Sequence, residues 1–183
     1  KEATEKRGLC NYRTTPDCIP HVLDKKNVDM LVGHKVFTEA ELKSRCEIQL
    51  ENYCKTVVIE ANTMVSMAKT LIAPAVEAYA ADVAKAVAAK RLVDANLPCK
   101  YESKLIKNLS ALTDRIASCI EELEMALQEL HEAKDVIDEA NAIRDNVLEK
   151  MNALRIACDE AELLTAKKYW PFPTYSDLLF GVK

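Results

Sequence analysis

Three histidines and seven cysteines are the residues of this chain best suited to holding a metal or acting as a base or nucleophile, and their spacing decides what they can do. Cys18-x-x-His21, with Cys10 upstream, sets sulfur and imidazole at a workable separation. A tetrahedral metal site needs four ligands, however, and no second close pair completes the set. A lone loop Cys and His is the simpler reading. A helical bundle can hold a di-metal carboxylate centre through Glu-x-x-His pairs on two helices, but the residue three before His131 is Gln128. Nucleophilic catalysis asks for Cys or Ser beside a base that a third group orients, and none of His21, His34 or His131 lies in such a motif. Glycine occurs only at 8, 33 and 181, which leaves no glycine-rich phosphate loop. The sequence therefore nominates no catalytic, cofactor-binding or metal-binding residue.

The feature that stands out is the C-terminal stretch. Residues 168–181 contain the chain's one Trp, two of its six prolines and two of its three phenylalanines. Pro171 and Pro173 remove two backbone donors and bias Trp170 and Phe172 toward extended geometry, so a preceding helix cannot run through them. Trp170, Phe172, Tyr175, Leu178, Leu179 and Phe180 together make a large apolar patch that must find a groove. This is read as a docking tail over 168–183, carried by Trp170, Pro171, Phe172, Pro173, Tyr175, Leu178, Leu179 and Phe180. It either folds back on the helices of its own chain or docks on a neighbouring chain or another domain.

The elements that would position this tail are helical. Scarce glycine and 5% aromatics, with abundant alanine, argue for helices over sheets. Residues 1–37 mix turn signals with short helical pieces and are read as an irregular arm. At Thr38-Glu-Ala-Glu41 the spacing predicts a capping box, followed by an apolar stripe at Leu42, Cys46, Leu50, Tyr53, Val57, Ala61, Met64, Ala68 and Leu71. Pro74 interrupts it; an interior proline costs about 3 kcal/mol, so a kink or break is expected near 70–73. The stripe resumes at Ala75, Val76, Tyr79, Val83, Ala86 and Val87 and ends in a turn at Pro98. A second seam, Leu105, Leu109, Leu112, Ile116, Cys119, Leu123, Ala126 and Leu130, alternates four and three in coiled-coil fashion. A third runs Val136, Ala140, Ile143, Val147, Met151, Leu154, Cys158 and Ala161. One helix over 101–165 would be about 100 Å long, too long to pack compactly, so a reversal is expected at 131–135. The fold expected is all-α: an elongated antiparallel bundle of three long helices over 38–167, the first kinked or broken at Pro74, with an N-terminal arm and a Pro/aromatic C-terminal tail.

Charge narrows the partners. A net charge of −4 with both signs intermixed gives no basic footprint for nucleic acid. Residues 121–149 carry ten carboxylates against Lys134 and Arg144, a solvated face or a surface for a basic partner. The odd cysteine count, with Cys46, Cys54, Cys119 and Cys158 near apolar helical positions, fits reduced thiols in a cytoplasmic setting. No signal peptide and no run of eighteen apolar residues is present, so no membrane partner is expected. The opening, polar and without an initiator Met, is compatible with a piece of a longer protein.

Three stretches carry a resemblance: Arg7-Gly-Leu-Cys-Asn-Tyr-Arg-Thr-Thr-Pro-Asp17; Gly33-His-Lys-Val-Phe-Thr-Glu-Ala-Glu-Leu-Lys-Ser-Arg45 running into Glu51-Asn-Tyr-Cys-Lys-Thr-Val-Val-Ile-Glu-Ala-Asn-Thr-Met64; and Tyr169-Trp-Pro-Phe-Pro-Thr-Tyr-Ser-Asp-Leu-Leu-Phe180. In order and spacing they resemble the C-terminal region of type III glutamine synthetases. The resemblance implies a parent ligase that joins ammonia to glutamate through γ-glutamyl phosphate, using ATP and divalent Mg or Mn and assembling into double-ring oligomers. It implies that the catalytic core lies upstream, with 1–37 its trailing end, and that this chain's partners are that core and neighbouring subunits of a homo-oligomer. No catalytic motif of the family matches a position here. The apolar seams alone would also suit a free-standing, coiled-coil-like interaction module.

Overall fold

The structure, a computed structural model, describes residues 2–173 and 175–181, without the side chains of Tyr175 and Ser176. Among the described residues every regular element is helical: α1 (Thr15–Cys18), α2 (Lys25–Gly33), α3 (Glu39–Met67), α4 (Ala73–Val93), α5 (Lys100–Glu129), α6 (Val136–Ala142), α7 (Leu148–Leu164) and α8 (Tyr175–Leu179), joined in places by 3₁₀ or π turns. The chain divides into two compact units. One holds 1–60 with 127–149, the other 61–126 with 150–183.

Each helix start and stop has a local cause. The Thr38 amide donates to Glu41 Oε2 at 2.7 Å and the Glu41 amide to Thr38 Oγ1 at 3.3 Å, the reciprocal capping box that opens α3. These bonds from Thr38 hold the Glu41 carboxyl below its ordinary value. Thr14 caps α1, and Asp135 caps α6 by accepting from the Ile137 and Asp138 amides. Helix α2 ends with Val36 donating to the Leu31 carbonyl and Lys35 to that of Val32, a Schellman motif. Its left-handed position is taken by Lys35, at φ 56°, rather than by the nearby Gly33.

Pro74 does not break its helix. Over Ala68–Ile72 the chain widens into a π-turn, with the Ala73 amide donating to the Ala68 carbonyl. Proline brings no amide of its own and its ring presses on the carbonyl four residues back, and the wider turn absorbs both effects. A second π-turn, Ile143–Val147, joins α6 to α7. Where a reversal is expected, at 131–135, the helix is interrupted by a 3₁₀ turn, Leu130–Glu132, and an extended Ala133.

In the first unit the buried positions include Leu42, Cys46, Leu50, Cys54 and Val57 from α3, with Leu130, Ala140, Ile143 and Val147. The N-terminal residues are tied to this body: Arg144 Nη1 donates to Asp17 Oδ1 at 2.6 Å, and the Cys46 thiol reaches the Ile19 carbonyl at 3.8 Å. In the second unit the core runs through Leu109, Ile116, Leu123 and Leu154, with Ala61, Ala68, Ala157 and Ala161 almost fully enclosed. Alanine at these points lets helix axes approach closely, and dense interdigitation follows. Ion pairs there link Lys90 to Glu102, Lys69 to Glu124 at 2.6 Å, Glu122 to Lys150 at 2.8 Å and Arg115 to Glu160 at 2.8 Å. Along α5, as its own numbers rise those of its partners fall within each neighbouring segment, from Lys90 to Lys69 on one and from Glu160 to Lys150 on the other.

The stripe differs in phase from its sequence expectation. Cys54, Val65 and Ile72 are buried where Tyr53, Met64 and Leu71 were expected; Tyr53 and Met64 are half-buried and Leu71 is exposed. On α5 the buried residue is Ile120, not Cys119. In α4, Val76 and Ala80 are buried, while Ala75, Tyr79, Val83 and Val87 are half-buried and Ala86 is exposed. Val136 and Met151 are half-buried, and Ala157 joins Cys158 in the core. A strict alternation of three and four drifts by about 20° per heptad against a straight helix, so the fourth or fifth position slips by one residue. Leu123→Ala, which opens a cavity at a fully buried site, is expected to lower unfolding free energy by about 2–5 kcal/mol in urea denaturation. Leu163→Ala, on an exposed side chain, should stay within about 0.5 kcal/mol.

Candidate functional site

Helix α7 stops at Leu164, and Thr165 and Tyr169 close turns onto the Ala161 and Ala166 carbonyls at 2.9 and 2.8 Å. The prolines at 171 and 173 then bar a helix from continuing through them. Within the second unit the tail first lies against its own helices. The Tyr169 ring sits 5.2 Å from that of Tyr79, its hydroxyl donates to the Asp82 carboxylate, and Lys168 Nζ lies 4.5 Å from the ring centroid. Trp170 and Phe172 are half-buried and meet edge to face at 6.3 Å. They line an apolar cavity of about 330 Å³ with Pro173 and Leu178 from the tail, Met64 and Met67 from α3, Ile72, and Cys158 from α7. Arg155, Asp159 and Glu162 form its polar rim.

Lys167 Nζ donates to Asp177 Oδ1 at 2.5 Å, tying α8 to the end of α7. At the far end of α8 a Cβ on Gly181 would lie 2.4 Å from the Asp177 carbonyl oxygen, so only glycine fits that close approach. Leu178, Leu179 and Phe180 are 68%, 72% and 78% exposed. Pro171 is exposed. The Tyr175 side chain lies outside the described part of the chain.

Of the eight tail residues named from the sequence, Trp170, Phe172 and Pro173 line the cavity against the chain's own helices, Leu178 touches that cavity but is mostly exposed, Pro171, Leu179 and Phe180 are presented to solvent, and the side chain of Tyr175 is not among those described. Tyr169, Tyr79 and Asp82 were missed as anchors. A tyrosine next to the Trp-Pro pair was the available signal, but nothing in the sequence paired it with a carboxylate 87 positions away.

The other candidates find structural uses. His21 Nδ1 lies 3.0 Å from Asp24 Oδ2 and its ring stacks on Tyr12 at 4.1 Å. A hydrogen bond to Cys10, above all, pushes the Tyr12 hydroxyl up to about 12. Cys10 and Cys18 are exposed. Burial pushes the Cys54 and Cys158 thiols up to about 11, which keeps both protonated and poorly nucleophilic near neutral pH. Among the described residues no group of three His, Cys, Asp or Glu side chains is placed to hold a metal ion, so the donor set for the divalent ion that the resemblance implies does not assemble in them. Nor is any described helix long and apolar enough to cross a membrane.

These features define a helical domain whose distinguishing surface is a C-terminal Pro/aromatic segment. The glutamine synthetase C-terminal domain family matches residues 1–91, and the chain belongs to that family. It is 32% identical, over its full length, to a glutamine synthetase of Butyrivibrio fibrisolvens, covering 26% of that protein. It is 29% identical to the type-3 glutamine synthetase of Dictyostelium discoideum, over 98% of this chain and 25% of that one. To a glutamine synthetase of Bacteroides fragilis it is 26% identical, again over 98% of this chain and 25% of the other. The chain therefore spans about a quarter of the length of these relatives.

Two predictions test the tail's seat. Trp170 is the one tryptophan, so Phe172→Ala, by opening the cavity to water, should shift intrinsic fluorescence to longer wavelength while far-UV circular dichroism stays constant; an unshifted spectrum would show the ring pair does not shield the indole. The Asp82 carboxyl is held below its ordinary value, first by the Tyr169 hydroxyl and then by Lys85. A depressed folded-state pKa contributes stability above the unfolded value, near 3.9, and loses it as pH falls through the folded value. Tyr169→Phe should therefore lower the melting temperature at pH 7, with the difference from wild type shrinking below about pH 4; a pH-independent difference would assign the loss to packing alone.

Proposed function

We propose that the chain is the C-terminal helical region of a type III-like glutamine synthetase, a ligase of nitrogen assimilation that joins ammonia to glutamate at the expense of ATP with divalent Mg or Mn. In this reading ATP, metal and both substrates are handled by an upstream catalytic core, and no residue of this chain performs chemistry. Its partners are that core and neighbouring subunits of a cytoplasmic homo-oligomer. Residues 1–37 are the trailing end of the core, 38–167 form an antiparallel bundle of three long helices, the first bent beside Pro74, and 168–183 are a docking tail. The falling register of the α5 ion pairs supports the antiparallel arrangement.

The observation that carries the reading is the division within the tail. Its first half is anchored on the chain's own helices through Tyr169, Trp170 and Phe172. Its second half holds Leu178, Leu179 and Phe180 largely out to solvent on a short helix that Asp177 ties to Lys167. Three adjacent large apolar side chains at that exposure are the composition of an interface core, and their anchored base reduces the ordering cost of docking. The region therefore braces the catalytic core or joins subunits through this tip.

Removing 168–183 from the whole ligase is expected to lower its thermal stability and shrink its oligomer in sedimentation velocity. Leu179→Ser with Phe180→Ser, neither of which lines the Trp170 cavity, should do the same and leave the Trp170 fluorescence of the helical region unchanged. An unaltered oligomer and melting temperature in both variants would reject the docking role.

A further inference from the structure

We propose that the turn between α4 and α5 is a second contact surface, whose partner is the acidic turn between α5 and α6 of another copy of this chain. The proposal rests on the reading above that copies of this region meet, but it uses residues remote in sequence from the tail.

Residues 85–107 carry six cations, including Lys90, Arg91, Lys100, Lys104 and Lys107, against Asp94 and Glu102, a net of +4 in a chain of net −4. Glu102 is used up by Lys90, and Asp94 accepts from the Asn96 amide. Arg91 from the last turn of α4 and Lys100, Lys104 and Lys107 from the first turns of α5 then line one open depression of about 450 Å³. Lysines at 100, 104 and 107 share one helix face, and like charges at three- and four-residue spacing destabilise a helix. Such an arrangement is an expense that an opposite charge docked on that face would offset.

A small anion would account for the cations alone. It has no use for Leu92 and Val93, 89% and 85% exposed at the same turn. Adjacent aliphatics of that exposure, rimmed by Lys and Arg, have the pattern of a protein interface, apolar at the centre and charged at the edge. The partner surface they require is acidic with an apolar centre. The turn over 129–139 has that character: Glu129, Glu132, Asp135, Asp138 and Glu139 against Lys134, a net of −4, around Ile137, which is 42% exposed. Opposed potentials of equal size on two different patches steer association and fix its register. Because the two patches differ, the contact is head-to-tail and propagates from copy to copy, closing into a ring or extending as a chain.

Sedimentation velocity of the 183-residue chain at low and high salt tests this. Wild type should associate beyond the dimer at low ionic strength and dissociate in about 0.5 M salt, where screening shortens to a few ångströms. Lys104→Glu with Lys107→Glu should weaken association by about tenfold or more, as should Glu132→Lys with Asp138→Lys. Both alter exposed side chains and should keep the wild-type circular dichroism. An equimolar mixture of the two variants should associate again, since each reversed patch now meets its complement. A wild type monomeric at low salt, a variant that associates undiminished, or a mixture that stays apart would overturn the proposal. Undiminished association together with a melting temperature raised by inorganic pyrophosphate would assign the basic turn to a small anion instead. Deleting Leu178–Phe180 separates the two surfaces, because it should leave this salt-dependent association intact.

Discussion

Everything in this chain depends on helices burying one narrow stripe. Isolated helices of ordinary composition are marginal in water, and an amphipathic face gains its stability from what it packs against. Here that face is made of Leu109, Ile116, Leu123 and Leu154 interleaved with Ala61, Ala68, Ala157 and Ala161. Each buried leucine or isoleucine contributes about 1.5–3 kcal/mol by leaving water, and each alanine adds close approach at little cost in side-chain entropy. The charged residues outside the stripe contribute less. Exposed ion pairs such as Arg115–Glu160 are worth about 0–1 kcal/mol, so they set register more than stability.

The same constraint explains what the helices leave over. With the stripe spent on neighbouring helices, the apolar residues outside it remain exposed: Leu92 and Val93 at one turn, Leu178–Phe180 at the tail tip. Scattered exposed leucines need no explanation. Clusters at the ends of ordered elements do, because they desolvate together when a partner arrives. Glycine scarcity contributes to this shape, since the turns are held by capping side chains, Asp94 and Asp135 among them, rather than by flexible backbone.

Much of this was legible in the residues. Thr38 and Glu41 announced the start of α3, the absence of large apolar residues at 131–135 marked the interruption after α5, and Pro98 the turn before it. The phase of the stripe was less legible, because a heptad reading fixes 3.5 residues per turn and the helices run wider, most of all at the π-turn over Ala68–Ile72. That turn has no composition of its own; it answers Pro74, and only the backbone shows whether a proline is met by a break or by an extra residue. The tail was recognised as a unit, yet its division at Pro173 depends on Tyr169 finding Asp82, a pairing no local pattern encodes.

The most direct test of the stripe is native-state hydrogen exchange read residue by residue. The slowest amides should cluster around Leu109, Ile116, Leu123 and Leu154 and open only with global unfolding, while those of α8 exchange through local fraying. Equal protection for α8 and for the centre of α5, or rapid exchange across 109–123, would contradict the account.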